Sequence, residues 1–448
     1  MMKENQKKSG ICRRDFIGNS LAAVAGLGIR GKNNLCNGKA RTLSREPRIK
    51  EYRTLGRTGF KVSDIGFGAS FLTVPELLKV ALDRGINYID TGEHYSNGQS
   101  ERTIGQVIRN QDRKSIFITT KLNLTFAQSR TKENVKQRFQ KCLERLQTDY
   151  VDCLMIHMAR DTEQIKHPAF HEAARELKAE GRIRYIGLSN HGPEFRIYGR
   201  LQVPMEQVVY AAVEDGRFDV VLIAYNFLQR KQGEKILKKC QEKNVGITLM
   251  KTDPVNVYSR VLESVEKEKK AGAPTSEEYM KRLEDYATWL KAADKFIMTY
   301  GLKTNEQVRE AAIKFVLSQP GVHSACLSIT TFEKLETFVA LSGEKLRGRD
   351  HEMLEDYEGW LGPYYCRHAC GLCEPACPDT VPINTIMRYN HYFQAQGREK
   401  YSMRKYAALP GADAGQCNTC AGYCKHSCPY GVHIQKLLAL AHNTLTLA

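Results

Sequence analysis

Val151-Asp152-Cys153-Leu154-Met155-Ile156-His157 reads as one short buried strand closed by a titratable side chain. Seven more runs of this kind occur, at Asp64–Gly68, Asn87–Asp90, Ile116–Lys121, Tyr185–Ser189, Val220–Tyr225, Gly246–Met250 and Ser324–Ser328. Amphipathic, charge-bearing stretches with helical spacing separate most of them. Nearly continuous apolar strands alternating with helices make a parallel sheet with helices covering it. Eight such units in about 280 residues fit a closed (β/α)8 TIM barrel, of class α/β, better than an open sheet. A hairpin signal, Leu55-Gly56-Arg57-Thr58-Gly59-Phe60-Lys61-Val62, precedes the first run. The barrel is expected over residues 52–345. A charged, helix-forming insertion (Glu263–Lys270, Glu277–Leu290) occupies about 253–306, after the seventh strand.

The polar residues gather where a barrel enzyme keeps its chemistry. Asp90, Lys121, His157 and Ser189-Asn190 each end their strand, and Tyr95 lies just beyond Asp90. Barrel active sites occupy that carboxyl-end face, and several strands feed one site. Singly these residues are ordinary: an Asp ending a strand is usually a helix cap, and a Lys there usually sits at the solvated rim. Four successive strands ending in such groups are harder to explain as caps and rims.

The composition excludes other classes. With 42% hydrophobic and 26% charged residues among 448, the chain is ordinary globular protein rather than disordered. Of the net charge of +17, nine units come from residues 1–50, which hold twelve Lys or Arg against three acidic residues. The rest is spread as a solvated surface, so no nucleic-acid partner is expected. Ile17 to Ile29, the longest clearly apolar stretch, is too short and too polar for a membrane span.

Residues 1–45 have the anatomy of a leader: a Lys-rich start, Cys12-Arg13-Arg14-Asp15-Phe16-Ile17, then a weakly apolar run. The paired arginines resemble a twin-arginine export signal. That resemblance implies passage through the twin-arginine export machinery, a periplasmic location, and a cofactor inserted before export. The other reading is a disordered basic tail on a cytoplasmic protein.

Ile89-Asp90-Thr91-Gly92-Glu93-His94-Tyr95 with Ser100-Glu101, Thr119-Thr120-Lys121, Leu154-Met155-Ile156-His157 and Ile186-Gly187-Leu188-Ser189-Asn190 together resemble the aldo/keto reductase family. The resemblance runs in order from about Leu55 to Leu341 and places the family's catalytic tetrad on Asp90, Tyr95, Lys121 and His157. It implies interconversion of a carbonyl and an alcohol on a small molecule, with NADP(H). A free tyrosine titrates near 10, so Lys121 is expected to favour its phenolate, with Asp90 orienting Lys121 and His157 directing the carbonyl oxygen. Ser189 and Asn190 would hold the nicotinamide carboxamide, and Met250 would pack on the ring face. Lys251, Ser328, Thr330 and Thr331 are the candidates for the nucleotide phosphates. Two positions depart from the family: Leu222 stands where a Gln is usual, and the turn after the eighth strand has no cation except Lys334.

Eight of the fourteen cysteines close the chain, as Cys366-x3-Cys370-x2-Cys373-x3-Cys377-Pro378 and Cys417-x2-Cys420-x3-Cys424-x3-Cys428-Pro429. The runs resemble two-cluster ferredoxins and imply two 4Fe-4S clusters in a small, mainly helical domain over 356–448, with helices at Ile383–Gln396 and Lys400–Leu409. Structural zinc favours paired C-x2-C knuckles, and disulfides give no reason for two parallel quartets. In the ferredoxin pattern Cys428 would join Cys366, Cys370 and Cys373, and Cys377 would join Cys417, Cys420 and Cys424. The extra residue in each run leaves that partition open. The six scattered cysteines, Cys326 among them, receive no role.

A nicotinamide moves two electrons and a cluster one. The clusters are therefore expected to be structural or to relay electrons to a redox partner protein. The alternative is an iron–sulfur electron-transfer or interaction protein on a barrel that no longer binds nucleotide.

Overall fold

An antiparallel hairpin opens the fold, with β1 (Tyr52–Thr54) paired to β2 (Lys61–Ser63). Eight parallel strands follow: β3 (Ile65–Gly68), β4 (Tyr88–Asp90), β5 (Phe117–Leu122), β6 (Val151–Ile156), β7 (Ile183–Asn190), β8 (Val220–Ala224), β9 (Gly246–Met250) and β10 (Ser324–Leu327). They close in sequence order, β10 pairing with β3. This computed structural model describes residues 46–125, 131–190, 203–254, 277–368 and 370–446. The expected leader with Arg13 and Arg14, and Glu263–Lys270 of the insertion, lie outside the described residues. Among the described residues no helix is long and apolar enough to cross a membrane.

Strand alternation explains why the runs look continuously apolar. On β6, Cys153 and Met155 point into the barrel, while Leu154 and Ile156 join the larger core between sheet and helices. Both faces are buried, so neither alternate set is polar. Asp152 interrupts the run and is fully buried. Arg113 and Arg184 balance it, at 2.8 and 3.0 Å.

The hairpin plugs the amino-terminal end of the barrel. Leu55 is fully buried in the inner cluster with Val62, Tyr88, Phe117 and Val220, a contribution of about 2 kcal/mol. The next residue, Gly56, has φ +47, and a Cβ there would collide with the Gly246 backbone. Only glycine lets the plug sit that close.

The insertion supplies the helix Glu277–Tyr300, whose Phe296 packs edge-on against Tyr357 of the helix Gly348–Leu361. Met353, Leu354, Tyr357, Leu361 and Tyr365 all belong to the barrel's core. The expected boundary at 356 thus falls inside a barrel helix, and the second core begins just after Tyr365.

That second core is helical. Ile383–Gln396, Glu399–Ala407 and Ile434–Leu445 enclose Val381, Ile386, Tyr389 and Leu438 together with Cys373, Cys417 and Cys424. Arg367 Nε donates to Leu228 O at 3.0 Å, and Gln229 Nε2 donates to His368 O at 2.6 Å. Leu228 and Gln229 lie just beyond β8, so the tail docks at the face where the strands end.

Candidate active site

The ends of β4, β5 and β6 bring Asp90, Lys121 and His157 together. Lys121 Nζ donates to Asp90 Oδ1 at 2.6 Å, to the Thr91 carbonyl, and to Tyr95 OH at 3.2 Å. The His157 ring meets the Tyr95 ring edge-on, with centroids 5.6 Å apart. Tyr95 opens a turn in which Ser96 and Asn97 are both left-handed, at φ 49 and 55. Two non-glycine residues in that region are strained, a cost typical of functional loops. Ser96 Oγ donates to Ser70 O at 3.2 Å, tying the turn to the loop after β3.

Burial sets the protonation states. It pushes Tyr95 up to about 12, against the downward pull of the Lys121 ammonium. Lys121 favours the phenolate as expected, but desolvation of the anion outweighs it, and the phenol keeps its proton near neutrality. Burial alone would lower Lys121, but the Asp90 carboxylate, by its charge and its hydrogen bond, holds the ammonium. Burial raises the Asp90 carboxyl, and Lys121 draws it back. Burial, then Lys121, keeps His157 well below its ordinary value and therefore neutral.

Cys326 on β10 had no expected role. Its thiol lies against the Asp90 carboxylate and, as a weak donor, favours the ionised form. Inward alternation from Ser324 would have placed it there.

The expected nucleotide residues fare unequally. Ser189 Oγ accepts from Met158 N at 3.0 Å, which leaves its hydroxyl hydrogen as a donor. Asn190 Nδ2 donates to Ala159 O at 2.6 Å. Leu222 stands level with Ser189 in register and lies in the inner apolar cluster, with Met250 packed against it. Ser328, Thr330 and Thr331 are exposed. Thr331 caps its own helix by accepting from Lys334 N at 3.2 Å, and Lys334 Nζ reaches Thr330 Oγ1 at 3.1 Å. Lys251 meets Tyr392 of the tail instead of those hydroxyls.

The eight tail cysteines fall into two neighbourhoods. Cys366, Cys370, Cys373 and Cys428 line one cavity with Arg367, Asn384 and Tyr430. Cys417 has Cys424, Cys377 and Cys420 as its nearest thiol neighbours. Burial, then mutual repulsion, pushes Cys417 up to about 12; burial is likewise the main reason Cys424 rises to about 11. Val381 N and Gly422 N donate to Cys377 Sγ and Cys420 Sγ, each at 3.4 Å. Among the described residues no three His, Cys, Asp or Glu side chains converge on a position for a single metal ion.

An eight-stranded barrel with an acid, an ammonium and a phenol linked at its carboxyl-end mouth is the frame of a barrel oxidoreductase. Residues 67–358 match the model of the Aldo/keto reductase family, and the chain belongs to that family, whose members are NAD(P)-dependent oxidoreductases. Aldo-keto reductase YhdN of Bacillus subtilis (strain 168) is 25% identical over 330 residues, covering 67% of this chain and 92% of its own. L-galactose dehydrogenase of Arabidopsis thaliana is 26% identical over 332 residues, covering 70% and 95%. Among solved structures, the holo form of aldo-keto reductase AKR11C1 from Bacillus halodurans aligns at TM-score 0.50 and 24% identity. It covers 69% of this chain and 96% of its own. The family match stops short of the cysteine-rich tail.

Proposed function

We propose that the chain is an exported carbonyl oxidoreductase that interconverts a small-molecule carbonyl and alcohol with NADP(H). Two 4Fe-4S clusters in its tail are structural or relay electrons to a redox partner protein. The observation that carries the reading is the 3.2 Å contact between Lys121 Nζ and Tyr95 OH beside the Asp90 ion pair. Tyr95, protonated near neutrality, gives its proton to the carbonyl oxygen in reduction. The Lys121 ammonium steadies the phenolate left behind, and Asp90 holds that ammonium in place. Neutral His157, edge-on to Tyr95, offers a ring nitrogen to the same oxygen. Its buried Nδ1 has no hydrogen-bond partner among the described residues, which suits a site that takes a polar ligand. Ser189, Asn190 and Met250 would hold the nicotinamide end, and bound NADP(H) supplies or accepts hydride.

The two cysteine neighbourhoods fit clusters. Each set joins three cysteines of one run to the last of the other, as in the two-cluster pattern. Zinc needs four donors about 2.3 Å from one ion. A cluster spreads its cysteines over separate irons, which suits thiols set around a cavity.

A second reading, an electron-transfer protein on a barrel that no longer takes nucleotide, is favoured by the self-capped Thr331 and by Lys251 turned to the tail. Two measurements decide between them. NADPH should bind the holoprotein and support reduction of an aromatic aldehyde, and Tyr95→Phe should cut that rate by about 10²–10⁴-fold while nucleotide affinity barely moves. Unchanged turnover in Tyr95→Phe removes the tetrad mechanism, and absence of NADPH binding favours the second reading. Export is tested by Arg13→Lys with Arg14→Lys, which keeps the charge but loses both guanidinium groups. The double variant should stay in the cytoplasm, and its appearance in the periplasm would refute the twin-arginine reading.

A further inference from the structure

Lys251 and Arg398, from different parts of the chain, both lie beside the Tyr392 ring. Lys251 follows β9 with a left-handed backbone, φ 58. Its Nζ lies 4.5 Å over the Tyr392 ring and donates weakly to Tyr392 OH at 3.5 Å. Arg398 sits in the turn between the tail helices Ile383–Gln396 and Glu399–Ala407. Its guanidinium lies 3.7 Å over the Tyr401 ring, 5.4 Å from the Tyr392 ring and 5.5 Å from the Phe71 ring. Phe71 adjoins Ser70, the residue that anchors the Tyr95 turn. Arg398 thus reaches from the tail to the loop beside the candidate catalytic tyrosine.

No carboxylate among the described residues pairs with either cation. Burial depresses the Lys251 ammonium; the Tyr392 hydroxyl opposes this and the charges of Arg388 and Arg398 reinforce it. Packing like charges together in partly desolvated surroundings is unfavourable unless an anion joins them. A guanidinium stacked by its faces on rings keeps its planar N–H edge for a ligand, and the rings fix where that edge points.

We propose that Lys251 and Arg398 form an oxyanion subsite, built jointly by barrel and tail, for a phosphate or carboxylate of the ligand at the Asp90–Tyr95–Lys121 site. The tail thereby completes the active site as well as carrying the cysteines. The proposal rests on the reductase reading only for what bears the anion: the nucleotide, or an acidic carbonyl substrate.

Calorimetric titration of the full-length holoprotein with inorganic pyrophosphate tests the subsite without turnover. Arg398→Gln and Lys251→Met should each weaken binding about 10- to 100-fold, the worth of a charge-assisted contact. Arg398→Lys should fall between wild type and Arg398→Gln, because the charge stays and the fork is lost. Lys400→Gln, an exposed tail residue with the same change in net charge, should stay within about twofold. Arg398→Gln binding as tightly as Lys400→Gln overturns the proposal, and if Arg398→Gln loses its iron, Lys251→Met decides in its place. The source of the anion follows from two further arms on Arg398→Gln: the Kd for NADPH, and kcat/KM for 4-carboxybenzaldehyde relative to 4-nitrobenzaldehyde. A weaker Kd assigns the subsite to the nucleotide and a lower ratio to the substrate, while neither change also overturns the proposal. Pyrophosphate binding without any carbonyl turnover by wild type would sink the reductase reading and leave the subsite standing.

Discussion

The barrel mouth and the cysteine-rich tail handle buried charge in opposite ways. At the mouth the groups answer one another: Asp90 holds Lys121, Lys121 faces Tyr95, and the Cys326 thiol lies against the Asp90 carboxylate. In the tail, two sets of four thiols crowd like with like, and single N–H groups reach three of the sulfurs: Val381 N to Cys377, Gly422 N to Cys420 and the Asn384 amide, 3.7 Å from Cys366 Sγ. A self-compensated network holds its own protonation state. In the tail, burial keeps Cys417 and Cys424 as neutral thiols, raised to about 12 and about 11. The comparison separates a mouth whose buried charges balance one another from a tail where burial suppresses charge.

The mouth should behave as one unit, and this is the largest effect expected. Lys121→Met should lower carbonyl reduction about as far as Tyr95→Phe does. The double variant should be only a few-fold slower than the slower single. Steady-state kinetics on one aldehyde decides it, since multiplying losses would mean that the two residues act independently.

The next effect is in pH dependence. Tyr95 lies at about 12, so reduction, which needs the phenol, should be flat from about pH 6 to about pH 10. Alcohol oxidation needs the phenolate and should rise up to about tenfold per pH unit across that range. A plateau in the oxidation rate below about pH 9 would show that Lys121, rather than burial, sets the tyrosine.

The smallest effect sharpens the tail. Anaerobic analysis should find about eight irons and eight acid-labile sulfides per chain, and Cys370→Ser should lower both by about half. Stoichiometric zinc without sulfide would end the cluster reading and make the two neighbourhoods zinc sites.

Much of this was legible from residues alone, for local reasons. Strands buried on both faces must be apolar almost throughout, so their limits emerged within a residue or two. β9, for example, spans Gly246–Met250 as expected. Strand ends carry direction with them, so Asp90, Lys121 and His157 could be assigned to one face before any contact was known.

What the tertiary structure decided were the quantities that depend on neighbours distant in sequence. The direction of the Tyr95 shift is a contest between desolvation and one ammonium, and only packing says which wins. The helix Gly348–Leu361 crosses the expected boundary, and its allegiance to the barrel follows from Phe296, far back in the insertion. The sorting of Cys428 with Cys366 and of Cys377 with Cys417 depends on how the two runs are folded together. Lys251 and Arg398 are 147 positions apart in the chain. Periodicity reaches only a few turns along a helix or strand, so no pattern in the sequence could bring those two cations to one mouth. The docking of the tail on the loops beyond β8 does.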